Sequence, residues 1–119
     1  MVAFIDYCQE WYSLLTNFAL EGKFESALFS FINGESPNQY LYKLNNQLKE
    51  SSYESLPEIN LLKNNSELQT AAYSSKNETI YINEDWLKRA EKNNVFEVLT
   101  EELGHHIDYK VNSKDTPGD

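Results

Sequence analysis

From Val95 to Val111 the apolar residues Phe96, Leu99, Leu103, Ile107 and Val111 recur at intervals that only an α-helix gathers into one stripe. Such a helix must bury that stripe against other elements, and a chain of 119 residues supplies one modest core for it. At about 100° per residue, Glu101, His105 and Asp108 fall within an arc of about 60° beside the stripe. The same helix therefore carries a core face and an acidic-imidazole patch.

The remaining elements follow from punctuation and period. Phe4, Cys8, Trp11, Leu15 and Phe18 stand at helical spacing, and Gly22 ends that run. A second short helix is expected through Phe24, Ala27, Leu28, Phe31 and Ile32, stopping at Asn33-Gly34 before a loop over 35–38. Tyr40, Leu41, Leu44 and Leu48 predict a third, ending near Ser51-Ser52. Past Pro57 the character changes. Residues 58–62 form a short apolar run, ambiguous between strand and helix. Residues 68–74 and 79–83 are strand candidates flanking Ser75-Lys76-Asn77-Glu78, a polar loop of hairpin length. Asn83 reads as a helix cap, with Glu84 and Asp85 placed to favour the helix dipole, and Asn93-Asn94 reads as that helix's end. The expectation is an α+β protein: a helical N-terminal region over 1–52, then a core over 55–119.

Charge excludes one class of function. With 19 acidic and 10 basic residues the net charge is -9, and the Lys and Arg are scattered, so no surface for phosphate contacts is expected and no nucleic-acid partner. No run approaches the roughly 20 apolar residues of a membrane span. The first ten residues lack a cationic stretch and carry Asp6 and Glu10, so no signal peptide is visible. Cytoplasmic residence is the default, with export by a signal outside this chain as the alternative. The single cysteine, Cys8, lies among Phe4, Ile5, Trp11 and Tyr12 and reads as a buried structural thiol.

Chemistry concentrates in Glu101-Glu102-Leu103-Gly104-His105. Donors at i and i+4 on a helix converge on one ion, the mechanical basis of the metallopeptidase motif H-E-x-x-H, whose internal Glu is a general base. In this register Glu101 replaces the first His as a metal ligand, His105 is the second ligand and Glu102 is the base. Asp108, one turn on, is a further candidate ligand. Carboxylate in place of imidazole makes the site harder and more anionic. It would accept Zn2+, but discriminates less against Mn2+, Fe2+ or Ca2+, and the added charge lowers the metal's Lewis acidity.

The blocks Ala72-Tyr73-Ser74, Thr79-Ile80-Tyr81-Ile82-Asn83, Asp85-Trp86-Leu87, Val98 to Asp108 and Asp115-Thr116-Pro117-Gly118-Asp119 occur in an order that resembles a zincin-like domain. That domain occurs in cyanobacterial and related bacterial proteins, often ahead of haemolysin-type calcium-binding repeats. Its pattern has Glu as the usual first residue of the motif, so the resemblance implies that Glu101 is a family trait. It implies a minimal zincin-like core of β-hairpin, helix and active-site helix, and a divalent metal as cofactor. It implies a peptide or protein substrate laid along residues 79–83 as an edge strand. The family pattern continues with Glu-Gly-Glu beyond Asp119; if the third ligand belongs to that segment, Asp108, Asp115 or Asp119 are its substitutes here, and nothing in the sequence chooses between them. The implied activity is metal-dependent hydrolysis, most naturally of peptides. The alternative is a non-catalytic binding or accessory module of a calcium-binding-repeat protein, in which Glu101 and His105 are a solvated helix pair. His106, near Val95 and Leu99 on the helical wheel, is expected to pack or to support a ligand rather than to be one.

Overall fold

A computed structural model describes residues 4–23, 39–63 and 67–112. The expected helix through Phe24–Ile32, the loop over 35–38 and the segment holding Asp115 and Asp119 lie outside them. The elements are α1 (Phe4–Leu20), α2 (Gln39–Lys49), β1 (Glu58–Leu62), β2 (Ala71–Ser74), β3 (Thr79–Asn83), α3 (Glu84–Arg89) and α4 (Lys92–Asn112). Helices precede and follow a small mixed sheet, so the protein is α+β with N-terminal helices. Two compact units divide it: Met1–Leu56 with Lys110–Asp119, and Pro57–Tyr109.

In the first unit α1 packs on α2. Cys8, Trp11, Leu15 and Ala19 are buried from one helix, and Leu41, Leu44 and Leu48 from the other. Gly22 closes α1 at φ 76, a left-handed conformation open to glycine at no steric cost, and its N–H donates to the Ala19 carbonyl (3.0 Å). Ser51 does the same for α2 at φ 60. The Ser52 N–H donates to Gln47 O (2.7 Å) and the Ser51 N–H to Leu48 O (3.0 Å), which together form a Schellman cap. Beyond it, Tyr53 stacks on Tyr12 at 4.6 Å between ring centroids, and its hydroxyl lies 3.0 Å from Thr16 Oγ1. Burial pushes the Cys8 thiol up to about 11, so it stays protonated and inert, as expected for a structural cysteine.

The second unit is built on β3. The ambiguous run 58–62 is a strand, pairing parallel with β3 so that Ile59 faces Ile80 and Leu61 faces Ile82. Strand β2, shorter than the expected 68–74, pairs antiparallel on the other side, with Tyr73 opposite Ile80 and Ala71 opposite Ile82. One face thus holds Ile59, Leu61, Ala71, Tyr73, Ile80 and Ile82, and both β3 isoleucines are fully buried. The loop Ser75–Glu78 closes the hairpin with Glu78 at φ 50, and Thr79 Oγ1 donates to the Asn77 carbonyl (3.0 Å).

The sheet order β1-β3-β2 corrects one expectation. Residues 79–83 are not an edge strand, because β1 and β2 occupy both sides of their backbone. Once residues 58–62 pair as a strand, the edge of the hairpin nearest α4 is β2. The helix boundary after β3 also moves. Asn83 caps α3 as expected, its Oδ1 accepting from the Trp86 N–H at 2.9 Å while its Nδ2 donates to Leu68 O at 2.6 Å. But α3 ends at Arg89, and Asn93 and Asn94 lie in the first turn of α4. Asparagine is tolerated there, where backbone N–H groups lack partners within the helix.

Candidate metal centre

Helix α4 buries Val95, Leu99, Leu103, His106 and Ile107 along one stripe. The next positions around the wheel bring Glu102 to the margin of that stripe, half-buried, and leave Glu101 and His105 exposed. The potential donor atoms of Glu101, Glu102 and His105 lie within 4.8 Å of one another, so one turn of helix gathers two carboxylates and an imidazole. Asp108 is exposed and falls outside this group. Of the four residues singled out from the sequence, three converge and one does not.

Oxygen and nitrogen donors of this kind suit a divalent cation, with the harder ions favoured by the two carboxylates. Burial raises the Glu102 carboxyl above its ordinary value, His105 opposes that shift, Glu101 adds to it, and a hydrogen bond from the Tyr73 backbone N–H opposes it. Two neighbouring carboxylates, one partly desolvated, are more easily held together when a cation sits between them. The residues present therefore fit a divalent metal by donor chemistry and spacing.

The Tyr73 contact follows from sheet register. The Asn83 N–H donates to Thr70 O (2.8 Å), so the 70/83 and 72/81 pairs carry the hydrogen bonds of the β2–β3 ladder. Tyr73 is one position out of that phase, and its N–H points away from β3, where the Glu102 carboxylate accepts it. The Tyr73 side chain lies on the Ile80 face and also reaches α4. Its hydroxyl lies 2.6 Å from His106 Nδ1, and the two rings meet edge-on at 5.3 Å. Burial, then the nearby Glu78 and Tyr109, push the Tyr73 phenol up to about 12, so it is neutral at any ordinary pH. His106 is buried, as the wheel indicated, and is packed rather than placed among the donors.

Tyr73 is the participant that sequence reasoning missed. On a half-buried strand an aromatic residue reads as core, and only the register shows that its backbone and its side chain both face the turn of α4 that carries Glu102 and His106. Gly104, a frequent choice in H-E-x-G-H motifs, has no steric necessity here, since a Cβ at that position would meet nothing within 4 Å.

Among described helices none is long and apolar enough to cross a membrane. Comparisons with protein-family models, with curated proteins and with solved structures return no match.

Proposed function

We propose that this chain is a zincin-like metal-dependent hydrolase acting on peptides, with Glu101 and His105 as metal ligands and Glu102 as the general base. The supporting observation is the convergence of these three side chains on one helical turn. The order of sequence blocks around that turn supports the zincin-like reading. Glu101 and His105 would hold a divalent ion, which when bound would supply Lewis acidity toward a substrate carbonyl and toward water. Glu102 is suited to the proton-transfer role on two counts. Its proton affinity is raised by burial, and its carboxylate is oriented by the Tyr73 N–H. In the proposed reaction a Glu102 oxygen takes a proton from the attacking water and returns it to the leaving amine.

A second reading, metal or ligand binding without turnover, draws support from the exposure of Glu101 and His105 and from the anionic donor set. The test is metal content together with peptidase assays on the wild type, Glu101→Ala, His105→Ala and Glu102→Gln. Hydrolysis requires stoichiometric metal in the wild type, its loss in the two alanine variants, and a Glu102→Gln protein that keeps metal but loses turnover by about 100-fold or more. Metal retained with no turnover in the wild type selects the binding module. Metal lost in Glu102→Gln makes that residue a ligand. A folded wild type without affinity for divalent ions rejects both metal readings.

A further inference from the structure

We infer that Tyr73 is the positioning residue of this site: its phenol, anchored on the buried ring of His106, holds its own backbone N–H against the Glu102 carboxylate. This rests on Glu102 having the role proposed above.

Two arms of one residue grip the same helix. His106 and Glu102 are separated by one turn of α4, and Tyr73 meets the first through its hydroxyl at 2.6 Å and the second through its backbone. The side-chain arm is the rigid one. His106 is 1% exposed and its ring packs edge-on against the half-buried phenol, so the imidazole does not turn without disturbing the core and holds the phenol in place. The backbone arm is adjustable, because an outward-facing N–H on an edge strand is fixed by no ladder partner. Anchoring the phenol removes that freedom and fixes where the N–H points. The Glu102 side chain has several rotatable bonds, and an acceptor bond from a fixed donor selects among its rotamers. The tautomer of His106 decides which atom donates in the Tyr73–His106 bond, and the clamp works with either.

The test is amide hydrogen exchange on metal-free protein, followed by kinetics with Zn2+ or Mn2+. In Tyr73→Phe the residue-73 amide should exchange about fivefold faster, after correction for intrinsic rates, as expected for losing one part-buried hydrogen bond. The Ala72 amide, which points into the β2–β3 ladder, should stay within about twofold of wild type. His106→Leu should reproduce the acceleration, while His106→Asn, which keeps a polar atom near Nδ1, should restore much of the protection. Glu102→Ala should release the same amide. In the metal-loaded protein Tyr73→Phe should lower kcat with metal affinity unchanged.

Equal acceleration at residues 72 and 73 would reduce Tyr73 to a general support of the strand and overturn the inference. Unchanged protection at residue 73 would overturn it as well. A wild type that binds no metal rejects the proposed hydrolase, while the exchange data still decide whether the clamp exists.

Discussion

Glu102 links the site to stability. Because burial raises its pKa above the ordinary 4.5, the folded chain holds that proton more tightly than the unfolded chain does. Ionisation is then costlier in the folded state. The penalty begins as pH climbs past 4.5 and is complete above the folded value. Glu102→Gln removes it. Without metal the variant should therefore melt above wild type at pH 7, with the difference shrinking as pH is lowered toward and below 4.5. Thermal melts in chelator across that range check the sign, and a gap independent of pH would assign the effect to shape rather than charge. At this scale the sequence was informative where spacing along one helix sufficed. Glu101, Glu102 and His105 are neighbours by helical geometry alone. Tyr73 was hidden because its partnership with His106 depends on how a strand registers against β3, and no local pattern encodes that.

At the level of elements, ends were more legible than pairings. Gly22 and Ser51-Ser52 terminate α1 and α2 where their composition indicates, and Asn83 caps α3. Ser51 does so at some cost, since a residue with a Cβ at φ 60 sits in a region that glycine enters freely. Ser51→Gly should stabilise the protein by about 0.5–1 kcal/mol, the relief of that strain less the extra entropy of an unfolded glycine. Urea unfolding measures this directly. A loss of stability would mean that the Ser51 side chain contributes more than its backbone strain costs. The run 58–62 shows the opposite limit. Its five residues, Glu-Ile-Asn-Leu-Leu, suit either a strand or a helical turn, and the vacancy beside β3 made the decision. The edge-strand expectation for residues 79–83 failed with it, for topology and not for strand propensity.

Over the whole molecule, the α+β class was legible because period and punctuation change together at Pro57. A net charge of -9 sets a repulsive background in which exposed ion pairs such as Lys23–Glu21 at 3.4 Å do little. Topology carries a further consequence for how the sheet assembles. The β2–β3 hairpin closes over a short turn, whereas β1 must wait for β3 to arrive from across the intervening hairpin arm. In stopped-flow refolding, Tyr81→Ala in the hairpin should slow folding, while Ile59→Val in β1 should chiefly speed unfolding. The reverse partition would place β1 in the folding nucleus. During synthesis at about 5–20 residues per second, β1 leaves the ribosome one to several seconds before the strand it pairs with. For that interval Ile59, Leu61 and Leu62 have no sheet to join, and the charges of Glu58 and Lys63 at either end of the segment are what discourage it from pairing with a neighbouring nascent chain.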